Sequence, residues 1–188
     1  MKLLKNNVFP PLPVIFLRAL EPEDLDLLYE VENDERAWSV SASRTHFSRF
    51  SLRQYLAGQP ADAFQAGELR LVIADGKEAV GLIDLTNFSP MDGRAEVCIL
   101  ICPAHRGKGY ARAALGLLEN YARQFLRIRM LYALISARHN PVSLRLFASA
   151  QYEQVATLPA WHNRGGEYED VVLIQKFLDS PQGAGERT

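Results

Sequence analysis

The sequence, 188 residues long, is poor in the features that mark several classes of protein. Its 2 cysteines, Cys98 and Cys102, lie in one apolar run, where a strand would hold them about 13 Å apart, too far for a disulfide bond or a shared metal ion. We therefore predict buried free thiols and no metal. No apolar run approaches the ~20 residues that cross a bilayer, and residues 1–13 lack the apolar core of a signal peptide. These absences predict a cytoplasmic protein with no membrane partner.

The chain also lacks an excess of charge of either sign, because 21 Lys and Arg residues face 22 Asp and Glu residues. Proteins that bind nucleic acid usually carry a basic surplus, so no nucleic-acid partner is expected. Hydrophobic residues make up 48% of the chain, an ordinary share for a globular protein with a sizeable core. We predict an N-terminal arm over 1–13, one domain over 14–178 and a flexible tail over 179–188.

Strand and helix patterns alternate along this domain. Strands are predicted over 14–18, 68–74, 79–87, 94–102, 130–136, 152–158 and 170–177, and helices from 21 and over 45–57, 107–126 and 140–149. Asp75-Gly76 between two apolar runs is a hairpin signal, and Asn140-Pro141 is a favourable helix start. A loop containing Gly165-Gly166 is predicted to separate the last two strands.

The most informative stretch joins the apolar run Val97–Cys102 to the helix that follows it. Gly107 and Gly109 let the backbone curl there, so that consecutive N–H groups are exposed at the helix start. Such a helix end binds anions, a pyrophosphate above all, and Arg106 and Lys108 add positive charge. If the glycines alone are considered, a tight turn that binds no ligand is the alternative interpretation.

The segment Arg106–Ala111 resembles the Arg/Gln-x-x-Gly-x-Gly/Ala motif of the GCN5-related N-acetyltransferases (GNAT), and the resemblance covers about residues 14–178. It implies an α/β (α+β) fold, with a central mixed, mostly antiparallel seven-stranded sheet, about four flanking helices and a splay between the fourth and fifth strands. It also implies acetyl-CoA as cosubstrate. The similarity is greatest to the spermidine/diamine N-acetyltransferases and to the enzymes that acetylate ribosomal-protein N-termini.

The resemblance further implies which residues bind the donor. Backbone groups of the fourth strand would pair with the pantetheine arm, and one N–H there would polarise the thioester carbonyl. Asn140 stands where the family has a polar residue that contacts coenzyme A, although capping its helix is sufficient reason for an asparagine. The implied donor-binding residues are Ile99, Leu100, Ile101, Arg106, Gly107, Lys108, Gly109, Tyr110, Ala111 and Asn140.

Glu96 is the candidate catalytic base, because it is a lone carboxylate inside an apolar strand. The strand period places it on the same face as Cys98 and Leu100, towards the expected cleft. A glutamate at the strand edge, bonded to backbone or to Arg94, is the alternative.

The general acid is where the sequence departs from the family. Spermidine acetyltransferases have a tyrosine that protonates the leaving thiolate, and Phe147 stands in its place. Phenylalanine has no proton to give, so the acid is unassigned. Tyr110, Tyr132 and Tyr168 are the available substitutes.

The acceptor site is expected near the first helix, where acidic residues cluster between Glu21 and Glu35. This cluster is either a solvated helix face or an acidic wall for a cationic amine. The resemblance favours Glu32, Glu35 and Tyr168 as substrate-binding residues, while His46 could touch the substrate or simply be exposed.

The sequence thus predicts an acetyl-CoA-dependent N-acetyltransferase. The amine would attack directly in a ternary complex, and the substrate would be a small primary amine, first a polyamine or diamine such as spermidine. A protein N-terminus is the alternative acceptor, and a non-catalytic coenzyme A sensor is the alternative from another class. A homo-oligomer is compatible with the resemblance.

Overall fold

The computed structural model describes residues 11–35, 45–58 and 63–179. These residues build one sheet in the order β1-β2-β3-β4-β5-β7-β6, in which only β4 and β5 run parallel. The strands are β1 (Phe16–Ala19), β2 (Leu69–Asp75), β3 (Glu78–Ser89), β4 (Arg94–Ile101), β5 (Met130–Ser136), β6 (Glu153–Arg164) and β7 (Glu167–Phe177). The predicted fold class is therefore confirmed. The domain boundaries stay predictions, and most of the arm and tail lies outside the described residues.

Helices cover both faces of the sheet. They are α1 (Leu25–Glu32), α2 (Arg49–Ala57), α3 (Ala63–Ala66), α4 (Tyr110–Gln124) and α5 (Pro141–Ser149), with short 3-10 turns at Pro22–Asp24 and Pro103–His105. Because side chains alternate along a strand, Ile73 and Ile83 pack towards α4, while Val72 and Leu82 pack towards α1 and α2. Within the described residues, no helix has the length and apolar character needed to span a bilayer.

Local signals in the sequence set several of these boundaries. Asp75 pairs with Glu78 across a turn in which Gly76 has a φ of 59°, as the hairpin signal predicts. The side chain of Asn140 accepts a hydrogen bond from the Ser143 N–H at 3.2 Å, which caps α5. Helix α4 begins only at Tyr110, later than predicted, because the glycines before it have left-handed backbone conformations.

The connection predicted at Gly165-Gly166 does separate the last two strands, but it is a tight turn and much shorter than the predicted loop. Strands β6 and β7 continue as a long hairpin that turns at Gly165-Gly166. The outer part of β6 is largely exposed, so it lacks the apolar alternation from which strands are predicted. A bulge bends β6 at Ala160, whose φ is 51°, and the Asp170 carboxylate accepts the Ala160 N–H at 2.9 Å.

Strands β4 and β5 diverge after a short parallel stretch. Only three rungs join them, from Arg94–Met130 to Glu96–Tyr132, although both strands continue beyond the last rung. This is the predicted splay. It leaves an open cleft between the end of β4 and the end of β5, and backbone groups of both strands border that cleft.

Candidate active site

The β4 side of the cleft offers unpaired backbone groups at alternate residues. The Cys102 N–H donates to the Val80 carbonyl at 3.0 Å, so Cys102 and every second residue before it bond towards β3. Ile99 and Ile101 therefore turn their N–H and C=O groups towards the cleft, whereas the backbone of Leu100 faces β3. Of the three residues expected to pair with the donor, only the two isoleucines present free backbone groups.

Arg106 lies at the mouth of this cleft. Its Nε donates to the Ile101 carbonyl oxygen at 3.0 Å, so the guanidinium closes one of the free backbone acceptors of β4. The guanidinium also brings a permanent positive charge to the place where the cleft meets the glycine loop.

The glycine loop forms a cradle of backbone N–H groups. Gly107 and Gly109 have φ values of 76° and 87°, and Gly109 is the N-cap of α4 without any side-chain cap. The first helical hydrogen bond runs from the Ala113 N–H to the Gly109 carbonyl at 3.1 Å, so the amides of Tyr110 and Ala111 have no intrahelical acceptor. Free amides at the positive end of a helix of 15 residues fit a pyrophosphate.

Two side chains of the loop have different environments. Lys108 is exposed beside the cradle. The Tyr110 ring is buried, and its hydroxyl donates to the Asp75 carboxylate at 2.6 Å; this hydrogen bond raises the pKa of Tyr110. Tyr110 thus ties the loop to the end of β2.

A cavity of about 400 Å³ opens between the last turn of α1 and the end of β4. Its polar lining includes two carboxylates: Glu30, in the last turn of α1, and Asp34, just beyond the end of that helix. The complete lining is Tyr29, Glu30, Val31, Asn33, Asp34, Leu100, Cys102, Pro103 and Arg106. An acidic wall therefore stands beside the cleft.

The structure places the expected acceptor residues elsewhere. Glu32 accepts a hydrogen bond from Arg70 at 2.7 Å, on the sheet side of α1. Glu35 lies 3.4 Å from His46, and both side chains are exposed. Neither Glu32 nor Glu35 is among the residues that line the cavity, and their role as substrate-binding residues stays a prediction.

Arg70 joins Glu32 to Asp84 under α1. Arg70 Nη2 donates to Asp84 Oδ2 at 3.0 Å, and Asp84 is buried. Burial raises the pKa of Asp84 even though Arg70 lowers it in part. This network connects the helix that carries the acidic wall to the middle of the sheet.

Glu96 occupies the closed end of the cleft, at the last rung between β4 and β5. The Asn87 side chain donates to Glu96 Oε2 at 2.7 Å, and Arg94 pairs with Asp92 instead. Tyr132 is the partner of Glu96 on β5. The pKa of the Tyr132 hydroxyl is raised mainly by burial and, to a smaller extent, by the nearby Glu96 carboxylate.

Cys98 lies beyond Glu96 on the same face, and its side chain is exposed, so the prediction of a buried thiol is wrong for Cys98. The divergence of β5 leaves this face open. The thiol is nevertheless surrounded by protein atoms within the cleft, and this desolvation, together with Glu96 and Asp84, raises its pKa to about 12. Cys98 is therefore a neutral thiol at physiological pH.

Phe147 and Tyr168 lie in opposite environments. Phe147 is 2% exposed and packs edge-on against the Tyr152 ring, with 4.8 Å between the ring centres. Tyr168 is 67% exposed near the turn of the last hairpin. Among the hydrogen bonds of the described residues, none joins the Tyr168 hydroxyl to a charged group, and the Phe147 ring has no group that could form one.

The polar cluster at the end of β5 is not predicted by the sequence. The Glu169 carboxylate is buried, and it accepts hydrogen bonds from Ser136 Oγ at 2.8 Å, from His139 Nδ1 at 2.5 Å and from Arg164 Nε. His162 Nδ1 lies 3.7 Å away. Burial alone would raise the pKa of Glu169, but these donors lower it to about 2.

Comparison with known proteins gives concordant matches. Residues 15–152 match the family model of the acetyltransferase (GNAT) domain. Spermidine N(1)-acetyltransferase from Vibrio cholerae is 27% identical over 168 residues, which cover 87% of this chain and 95% of that protein; the Escherichia coli K12 protein of the same name is 24% identical, with 86% and 84% covered. The crystal structure of the Vibrio cholerae enzyme in complex with CoA and spermine superposes with a TM-score of 0.79, at 25% identity, covering 87% of this chain and 95% of that one.

Proposed function

Because the chain belongs to the GNAT acetyltransferase family, and is thus an N-acetyltransferase that uses acetyl-CoA, we propose that it acetylates a polyamine or diamine such as spermidine. The observation that carries this proposal is the acidic cavity beside the cleft between β4 and β5. The names of the Vibrio cholerae and Escherichia coli relatives, both spermidine acetyltransferases, support the same acceptor.

The cleft and the glycine loop would hold acetyl-CoA. The amides of the loop and of the first turn of α4 suit the pyrophosphate, and the exposed Lys108 adds charge. The backbone groups of Ile99 and the N–H of Ile101 suit the amide-containing pantetheine arm, and the Ile99 N–H would polarise the thioester carbonyl. Asn140 uses its oxygen to cap α5, which leaves its NH₂ group for the coenzyme.

The acidic cavity suits an acceptor with more than one positive charge. Glu30 and Asp34 offer two carboxylates to successive ammonium groups of one flexible chain. Arg106, on the opposite wall, repels such a chain and so directs it towards α1. A protein N-terminus brings a single ammonium group, so it uses this wall less fully.

We propose direct attack in a ternary complex. Glu96 is the base that takes a proton from the ammonium group, and Asn87 orients its carboxylate. Cys98, the thiol nearest to Glu96 on this strand, is a poor nucleophile because its pKa is about 12. An acetyl-cysteine intermediate is therefore not part of the mechanism.

The test is to mix the protein with acetyl-CoA and each candidate acceptor and to follow the release of free thiol. Spermidine should support turnover, and Glu30→Gln with Asp34→Asn should raise its KM at least about tenfold while leaving the KM for acetyl-CoA unchanged. Glu23→Gln, an exposed acidic residue outside the cavity lining, is the matched control.

Turnover with N-terminal peptides and none with polyamines would refute the proposed acceptor. Saturable coenzyme A binding without thiol release for any amine would instead favour the sensor, the alternative that the buried Phe147 supports.

A further inference from the structure

The glycine loop depends for its shape on two residues with high conformational freedom. Gly107 and Gly109 have φ values of 76° and 87°, and most of the segment 106–109 is exposed. Glycine loses more conformational freedom on folding than any other residue, so such a loop keeps one conformation only if its ends are held. Amides that already point at a ligand bind it more tightly than amides that the ligand must first order. The residues on either side of the loop therefore influence donor affinity.

Tyr110 holds the end of the loop that leads into α4. It is the first residue of that helix, and its backbone N–H is one of the amides without an intrahelical acceptor. Its side chain is buried, and its hydroxyl donates to Asp75 Oδ2 at 2.6 Å, across a separation of 35 residues. The same residue thus contributes an amide to the cradle and ties that amide to the sheet.

His105 holds the other end of the loop. It ends the 3-10 turn that follows β4, and its N–H donates to the Cys102 carbonyl at 2.9 Å. Its Nε2 lies 3.4 Å from the Glu78 carboxylate, and its ring meets the Tyr110 ring edge-on, with 6.0 Å between the ring centres. The contact between the two rings holds the two ends of the loop together.

Both carboxylates belong to the turn between β2 and β3. Asp75 ends β2, Glu78 begins β3, and the two residues pair across a turn in which Gly76 has a φ of 59°. The strands behind this turn enter the core, where Ile73 and Val80 have no exposed surface. A tight turn on two buried strands is a rigid support for a loop that contains two glycines.

The two contacts differ in strength. The bond from Tyr110 to Asp75 is short and has a carboxylate as its acceptor, which makes it stronger than a bond between neutral groups. The Glu78 side chain is 67% exposed and lies farther from its partner, so that contact contributes little. We therefore expect the bond between Tyr110 and Asp75 to supply most of the support.

We propose that Asp75 is a positioning residue for the donor. Through the Tyr110 hydroxyl it holds the amides at the start of α4 in place for the pyrophosphate of coenzyme A. The two side chains act on the loop and need not touch the donor. The turn between β2 and β3 thereby influences donor affinity, although it lies outside the Arg106–Ala111 segment.

The test measures three ligands by calorimetry: coenzyme A, dephospho-coenzyme A and pantetheine, the last by displacement of coenzyme A. The two coenzymes contain the pyrophosphate, and pantetheine lacks it. Tyr110→Phe removes only the hydroxyl, so the Kd of both coenzymes should rise about tenfold. The Kd of pantetheine should stay within about twofold of the parent value. A general loss of structure would weaken all three ligands instead.

Variants of Asp75 show whether the hydroxyl acts through this carboxylate. Asp75→Ala should raise the Kd of both coenzymes about tenfold, as Tyr110→Phe does. Asp75→Asn keeps an oxygen that accepts the hydroxyl and also suits the turn, so its Kd should stay within about threefold of the parent value. The double variant Tyr110→Phe with Asp75→Ala should lose no more than the weaker-binding single variant, because both changes remove one hydrogen bond.

Two control variants leave that bond intact. Tyr121→Phe changes the other tyrosine of α4, whose ring lies beside Phe125 near the far end of the helix. Glu78→Gln changes the weaker of the two contacts at the turn. Both variants should bind all three ligands within about twofold of the parent.

A Kd of Tyr110→Phe within twofold of the parent value for both coenzymes would overturn the assignment. An equal loss of pantetheine affinity, or losses that add in the double variant, would overturn it as well. The binding measurements contain no amine. Failure of the protein to acetylate polyamines, which would refute the proposed acceptor, therefore leaves their outcome unchanged.

Discussion

Replacing Arg70 by methionine removes the cation that neutralises two carboxylates under α1. Arg70 donates to Glu32 at 2.7 Å and to Asp84 at 3.0 Å, and the exposed fractions of the three side chains are 22%, 16% and 13%. Breaking a buried ion pair from one side costs about 3–5 kcal/mol, because an uncompensated charge stays buried. Methionine keeps most of the apolar stem, so little of this loss comes from packing.

The control is Arg94→Met. Arg94 pairs with Asp92 at 2.8 Å, a distance like that of the Arg70–Glu32 pair, but the two side chains are 45% and 53% exposed. A pair in contact with water contributes about 0–1 kcal/mol. The two variants therefore remove the same kind of charge at nearly the same distance, and they differ in burial.

The assay is urea unfolding, followed by circular dichroism and extrapolated linearly to water. Arg70→Met should lose about 3–5 kcal/mol of the free energy of unfolding, a large part of the 5–15 kcal/mol that is typical for a domain of any size. Arg94→Met should lose less than about 1 kcal/mol. If Arg70→Met lost no more than Arg94→Met, the network would not be a buried ion pair in solution, and the anchoring of α1 to the sheet would need another explanation.

Other predictions address the loop, the base and the acid stability. Gly109→Ala should cost about 1–2 kcal/mol in stability, since its φ is 87° and a Cβ would lie 3.2 Å from Pro13 Cδ, and it should weaken coenzyme A binding in calorimetry; unchanged stability would refute the left-handed loop. Glu96→Gln should lower kcat about 100-fold at unchanged coenzyme A affinity, and an equally active variant would remove Glu96 as the base. The folded-state pKa of Glu169, about 2, lies below the ordinary 4.5, so its cluster stabilises the fold above pH 4.5 and loses this contribution as the pH falls towards 2. Acid unfolding of Glu169→Gln should therefore be less steep across that window, and an identical profile would contradict the low pKa.

The parts of the fold that the sequence predicts well depend on local chemistry. The Asp75–Glu78 turn and the start of α5 at Asn140-Pro141 follow from backbone preferences of a few neighbouring residues. The splay could not be predicted from the strands themselves, because β4 and β5 are both mostly apolar and nothing in their pattern marks where they diverge. The resemblance of the glycine loop predicts it. Outer β6 was missed because both of its faces are polar or exposed.

The parts of the site that the sequence misses depend on distant pairs. Glu32 meets Arg70 at a separation of 38 residues, and Glu169 meets Ser136 at a separation of 33. No local pattern identifies such partners, so Glu32 was expected to face the acceptor. The alternation of hydrogen bonds between β3 and β4 decides whether Leu100 or its neighbours offer free amides. One hydrogen bond, from the Cys102 N–H to the Val80 carbonyl, fixes that alternation.

The unpaired strand edges at the splay also make the stability of the sheet depend on how much donor is available to bind them. Without the donor, the amides of Ile99 and Ile101 border an open gap, and they should exchange with deuterium faster than those of the β2–β3 ladder. A donor that pairs with this edge adds RT ln(1 + [L]/Kd) to the free energy of unfolding, about 2.7 kcal/mol at 100 times Kd. In cells, the lifetime of the protein should therefore rise and fall with the acetyl-CoA pool, and starved cells should degrade it sooner than well-fed ones.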